Sequence, residues 1–206
     1  MGHNVHLTAL MSSKNGENAW IETGKTIVLS VALALGIRQF VAEARYIPSG
    51  SMLPTLQIND RLLVDKVSYR FSNPRRGDIV VFDPTAALER QDFHDAFIKR
   101  IIGLPGDKVS VRGGRVFIDG KPLTEPYIAD TPRYQYGPVT VPPGQYLVLG
   151  DNRNNSYDSH YWGFVPRDKI IGKALVRFWP LPRLGEIQPE PNYRPTSSAM
   201  LTIGQR

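Results

Sequence analysis

Val109-Ser110-Val111-Arg112-Gly113-Gly114-Arg115-Val116-Phe117-Ile118-Asp119-Gly120 is the stretch that decides the fold class. Val109 and Val111, then Val116 and Ile118, repeat with a period of two, as in a strand with one buried face. Gly113-Gly114 between them supplies two residues free to take positive φ, which a tight hairpin turn demands. Asp119-Gly120 marks a second turn directly behind. Outward from this hairpin the same signal recurs. Residues 62–67, 79–82, 97–102, 116–118, 146–149 and 170–178 are short runs rich in Val, Ile and aromatic side chains. Gly, Pro and Asp clusters separate them, the signature of an all-β domain. Only residues 86–93 read as a short helix. Between Asp107 and Gly150 there is room for at most a small second β subdomain.

The composition of the 206 residues agrees, with 41% hydrophobic and 21% charged residues, as in an ordinary folded domain. Eighteen glycines and 17 prolines speak against a helix bundle. The absence of cysteine excludes a disulfide scaffold, a thiol nucleophile and any Cys-ligated metal or cluster. His3, His6, His94 and His160 show no metal-ligand spacing, so neither a metal nor a cofactor is expected. The net charge of +6 suits an anionic membrane as well as nucleic acid, but Arg75-Arg76 and Lys99-Arg100 are pairs rather than basic stripes. Nucleic acid is therefore not an expected partner. Gly24-Lys25-Thr26 lacks the first glycine of a phosphate loop, and residues 151–156 carry Arg153 where a calcium loop needs a ligand.

One segment breaks the average. Residues 26–37, TIVLSVALALGI, carry no charge, and the run from Trp20 to Ala44 is long enough to span a bilayer core of roughly 30 Å if Lys25 and Arg38 snorkel. A membrane anchor, a cleaved secretory signal ending at Ala42-Glu43-Ala44, and a buried core helix all fit this pattern. The reading divides the chain into a polar tail (1–19), an anchor helix (20–44), a β-rich domain (45–185) and a C-terminal tail (186–206).

The serines carry the chemistry. In Tyr46-Ile47-Pro48-Ser49-Gly50-Ser51-Met52-Leu53-Pro54-Thr55-Leu56, two prolines fix φ on either side of a glycine that lets backbone approach closely. Such a turn can present one hydroxyl with an amide N–H beside it, although a plain Ser/Gly/Pro loop reads the same way. A nucleophilic serine needs a base. His94 or His160 with an aspartate is one option and Lys99, in Phe97-Ile98-Lys99-Arg100-Ile101-Ile102, is the other. Strand alternation puts Lys99 on one face with Phe97 and Ile101, where burial disfavours the ammonium. To serve as a base near neutrality its pKa must fall by roughly 3 units, about 4 kcal/mol. A lysine snorkelling at a strand edge is the competing reading.

Residues 47–56, 76–82 (RGDIVVF), 99–107 (KRIIGLPGD) and 150–166 (GDNRNNSYDSHYWGFVP) resemble, in this order, the motif blocks of bacterial type I signal peptidases. The resemblance implies an all-β fold, shared with self-cleaving repressors, preceded by a single N-terminal transmembrane helix. It implies a serine endopeptidase that removes signal peptides from exported preproteins after small residues, at A-x-A sites. By position in the motifs, Ser51 is similar to the family's nucleophile and Lys99 to its general base. Ser49 and the Ser51 amide correspond to the oxyanion hole, Ser156 to the serine that orients the lysine amine, and Asp158 to the carboxylate bracing that loop. Ile47, Pro48, Met52, Leu56, Leu62, Val81, Phe97 and Ile98 are the expected substrate-pocket residues. The expected partners are signal peptides and the lipid bilayer. The family's orientation implies a bacterial inner-membrane protein, N-terminus cytoplasmic and catalytic domain outside. Two positions depart from the pattern: Asn154 stands where aspartate is common, and His160 where an arginine is common and would pair with Asp158. A membrane-tethered binding domain and a soluble self-cleaving repressor are the rival readings.

Overall fold

The structure, a computed structural model, describes residues 5–187. It divides at residues 42 and 43 into two units. The first is α1 (Val5–Phe40), which contains a 19-residue stretch, Ala19–Ile37, of mean hydropathy 1.4 and wholly unburied. At 1.5 Å per residue that stretch is about 28 Å long, enough to cross a membrane.

The helix ends at Phe40, and Ala42–Tyr46 forms β1, so the expected helical segment reaching Ala44 is too long by four residues. Ala42, Glu43 and Ala44 are all good helix formers. Pairing of β1 with the next strand satisfies their backbone groups instead, and tertiary context overrides the local preference.

The second unit is two sheets. Beyond β1 come β2 (Arg61–Asp65), α2 (Ser68–Phe71), β3 (Ile79–Phe82), α3 (Ala86–Glu89) and β4 (Phe97–Gly103). The hairpin β5 (Lys108–Arg112) and β6 (Arg115–Ile118) follows, then β7 (Lys121–Pro122), β8 (Tyr136–Thr140) and β9 (Gln145–Leu149). The chain continues through α4 (Ser159–Trp162), β10 (Val165–Pro166), β11 (Ile170–Trp179) and β12 (Gly185–Glu186). The main sheet runs β1-β2-β11-β3-β4-β9-β10, with β12 paired to β11; the smaller runs β7-β6-β5-β8. The fold is mostly β with one N-terminal apolar helix. The opening hairpin forms as its alternation requires, Val109 opposite Ile118 and Val111 opposite Val116, with Gly113 and Gly114 both at positive φ. A small second sheet is therefore present. Its strand β8 escapes the sequence pattern because Gly137 and Pro138 interrupt it, and an edge strand tolerates a proline that a central one would not.

Period two also divides the interior. Along β4, Ile101 packs into one apolar cluster with Val80, Phe82 and Val148, while Ile102 packs into another with Val109, Ile118 and Leu147. A third cluster, Ile47, Met52, Leu56, Leu62, Ile79 and Ala174, has Ile98 against it and lies under the serine-bearing turn. At about 25 cal/mol per Å² these closed clusters supply most of the drive for folding.

Candidate functional site

The turn carrying Ser49 and Ser51 lies between β1 and β2 and is held from two sides. From below, Met52 and Leu56 are fully buried, and Ile47 exchanges backbone hydrogen bonds with Asn59 and Asp60 at 2.9 Å. From the side, the Asn152 amide donates to Ser51 O (3.1 Å) and Asn152 Nδ2 donates to Gly50 O (3.0 Å). Thr55 Oγ1 donates to Asp151 Oδ2 at 2.5 Å. With its backbone committed, the turn presents the Ser51 hydroxyl in a fixed place.

Lys99 lies on β4, whose neighbours β3 and β9 enclose it, so the residue is only 4% exposed. Its Nζ is 2.9 Å from Ser51 Oγ and donates to Ile98 O at 3.1 Å. Burial pushes the ammonium down from 10.5 to about 8, against the opposing pull of the Asp158 and Asp151 carboxylates. An amine with this pKa is neutral in a substantial fraction near pH 8 and can accept a proton. Ser49 Oγ lies 3.4 Å from Ser51 Oγ.

Arg100, next in sequence, points to the other face and is fully paired. Its Nε and Nη2 reach Asp151 Oδ1 and Oδ2 at 2.8 and 2.7 Å, and Nη1 donates to Gly77 O at 2.8 Å. Asp158, wholly buried, caps α4 and accepts from the Gly150 amide (2.9 Å). His160 Nδ1 lies 2.7 Å from Asp158 Oδ1, and its ring stacks on Tyr134 with centroids 4.1 Å apart. So the histidine does occupy the pairing position beside Asp158. Among the described residues Ser51 Oγ makes no hydrogen bond to either histidine: His160 is engaged with Asp158, and His94 pairs with Asp92 on an exposed loop. Asn154 ties down the chain before β8: its carbonyl oxygen accepts from Arg133 N (2.8 Å) and its amide donates to Thr131 O (3.0 Å). An aspartate would keep only the first of these.

Ser156 differs from expectation. Its hydroxyl is buried with no hydrogen-bond partner among the described residues, and it packs over Gly150. A Cβ on Gly150 would lie 2.2 Å from that hydroxyl and 2.4 Å from Ser51 O, so glycine there lets the two loops meet.

An open cleft of about 420 Å³ borders Ser51 and Lys99. Of the expected pocket residues, Pro48, Phe97 and Ile98 line it. Ile47, Met52, Leu56, Leu62 and Val81 do not: each is at most 3% exposed, the first four in the closed cluster beneath the turn. Position in a family motif names candidates for the cleft but cannot tell a pocket floor from a core. The opposite wall is Phe93, Asp95, Asn155 and Tyr157, none of which the sequence signalled. They come from two segments some 60 residues apart, joined by the Phe93–Tyr157 ring contact (5.8 Å) and by Tyr157 OH donating to Gln91 Oε1 at 2.5 Å.

A family model described as signal peptidase, peptidase S26, matches residues 20–179. The chain belongs to this family. It is 70% identical over 181 residues to the probable signal peptidase I-2 of Synechocystis sp., covering 88% of this chain and 83% of that protein. It is 64% identical over 184 residues to a signal peptidase I of Leptolyngbya laminosa, covering 88% and 91% of the two chains. The crystal structure of a signal peptidase I from Enterococcus faecalis matches 50% of this chain and 97% of its own at 33% identity, with a TM-score of 0.43. The signal peptidase blocks read from the sequence lie within the matched region.

Proposed function

We propose that this member of the signal peptidase family is a membrane-anchored serine endopeptidase that removes N-terminal signal peptides from exported preproteins, using Ser51 as nucleophile and Lys99 as general base. The observation that carries the reading is the 2.9 Å contact between a desolvated amine and a serine hydroxyl at the edge of an open cleft. Ser51 Oγ adds to the scissile carbonyl carbon as its proton passes to Lys99 Nζ. The carbonyl oxygen becomes an oxyanion held by the Ser51 amide and the Ser49 hydroxyl, groups that gain most when the charge appears. Collapse breaks the C–N bond, and the Lys99 ammonium returns the proton to the departing amine. Water then attacks the ester, again giving its proton to Lys99, and Ser51 is released.

A neutral lysine has two N–H donors and one lone pair. The lone pair takes the Ser51 proton, one N–H goes to Ile98 O, and the other needs an acceptor. The buried Ser156 hydroxyl, without a hydrogen-bond partner among the described residues, is the group we assign to that role. Pro48, Phe97 and Ile98 line the cleft beside Ser51, and we propose that their overlap with large side chains is what selects small residues before the scissile bond. The apolar stretch of α1 would hold enzyme and membrane-borne substrate at one surface and raise their effective concentration. We place the catalytic domain outside the bacterial inner membrane and the N-terminus in the cytoplasm.

The test is cleavage of a preprotein by the purified full chain, compared with Ser51→Ala and Lys99→Ala. Loss of turnover in both supports the dyad. Activity kept in Lys99→Ala and lost in His160→Ala would assign the base to the histidine. No cleavage by any form would favour a tethered binding domain.

A further inference from the structure

Glu125 lies in the loop between β7 and β8 of the small sheet, outside every motif block, yet it is the only carboxylate paired with Arg153 among the described residues. Arg153 is 1% exposed and donates Nη1 and Nη2 to Glu125 Oε2 and Oε1 at 2.8 and 2.6 Å. Its third donor, Nε, goes to Gly150 O at 3.0 Å. The amide of the same Gly150 is held by Asp158 at 2.9 Å. Gly150 is also the point where the Ser156 hydroxyl and the Ser51 carbonyl close on each other. Tyr127 braces Glu125 from the other side, its hydroxyl donating to Oε1 at 2.6 Å while the Arg100 guanidinium lies 4.0 Å over its ring.

We infer that Glu125 is a positioning residue for the proposed peptidase reaction: through Arg153 it holds the Gly150 carbonyl, and so the spacing between the Ser51 turn and the loop bearing Ser156 and Asp158. The small sheet is then part of the catalytic frame. The physical reason is the stiffness of a buried, bidentate, charge-assisted pair, which fixes a direction as well as a distance. A shift of about 1 Å in such a frame costs on the order of 100-fold in rate. The inference rests on the proposed dyad reading, because it needs a reaction for the frame to serve.

The experiment uses the full-length protein and a preprotein substrate, with Glu125→Ala, Glu125→Gln, Arg153→Lys and the Glu125→Gln/Arg153→Lys double variant. Circular dichroism gives the folded fraction, and kcat and KM are measured across pH. For Glu125→Ala the expected result is a loss of about 100-fold in kcat per folded molecule, with KM within about twofold and a displaced midpoint in the pH profile of kcat. Should Glu125→Ala fail to fold, Glu125→Gln decides, with an expected loss of about 10-fold because it keeps the acceptor and loses the charge. The double variant is expected to cost no more than the worse single one. An unchanged kcat and pH midpoint in folded Glu125→Gln, or single losses that multiply in the double variant, would overturn the inference. A wild type that cleaves no preprotein would instead remove the functional reading itself.

Discussion

Lys99 and Arg100 are neighbours on one strand, both cations and both buried, at 4% and 2% exposure. Arg100 is met by a carboxylate in a two-pronged ion pair and by a carbonyl, so its charge is compensated and its work is structural. Lys99 is met by a hydroxyl and a carbonyl, with no carboxylate in contact among the described residues. Burial outweighs the more distant pull of Asp158 and Asp151, so its pKa falls to about 8, the property that the proposed role as base requires. Burial is common to both faces of β4; what separates structure from chemistry is whether burial comes with a counter-ion.

The largest expected effect is on turnover. Ser51→Ala or Lys99→Ala should lower kcat by roughly 10⁴-fold or more, as removal of a nucleophile or its base does elsewhere. Retained turnover in Lys99→Ala would dissolve the contrast between the two cations. Next comes stability on the paired face. Arg100→Met leaves the Asp151 carboxylate buried without its counter-ion and should cost about 3–5 kcal/mol in denaturant unfolding.

The unpaired face should behave in the opposite sense. With the Lys99 pKa lowered from 10.5 to about 8 in the folded state, the unfolded chain binds more protons between those values, so stability rises with pH across that window. Below about pH 8 the cost of the buried charge is present in full, about 3 kcal/mol. Lys99→Met should therefore stabilise the protein at pH 7 by up to about 3 kcal/mol while abolishing activity, and should flatten the rise between pH 8 and 10.5. In the wild type, kcat/KM should climb through about pH 8 to a plateau, measured with a soluble preprotein. The smallest effect concerns the loop before β8. Asn154→Asp loses the donor to Thr131 O and should cost about 1 kcal/mol, with kcat unchanged.

Much of this architecture was legible from local pattern. Val109 to Ile118 and residues 79–82 alternate or run apolar in ways that only strands reward, and the strands lie there. Ser51 and Lys99 stood out only through the family resemblance, since a Ser/Gly/Pro turn and a lysine among apolar residues each also fit a plain loop and a snorkelling side chain; the structure places their side chains 2.9 Å apart. The pocket list fared worse. The family resemblance assigns Met52 and Leu62 to the cleft, but motif position is the same whether a side chain floors a cleft or fills a core, and the structure puts them in the core. Phe93, Tyr157 and Glu125 gave no signal because their roles depend on loops that meet only after the strands have paired.

What the amino-acid order determined by itself was period: which stretches form strands, where the turns fall, and that residues 26–37 are too apolar to be ordinary surface. Each is a property of near neighbours, set by side-chain direction and backbone freedom. The tertiary structure alone decided partnership. It brought an amine and a hydroxyl 48 residues apart to 2.9 Å, and gave the adjacent arginine a carboxylate in contact where, among the described residues, the lysine has none. A pKa depends on solvent and charge within a few ångströms, and which groups stand that close is settled only when the sheets have assembled.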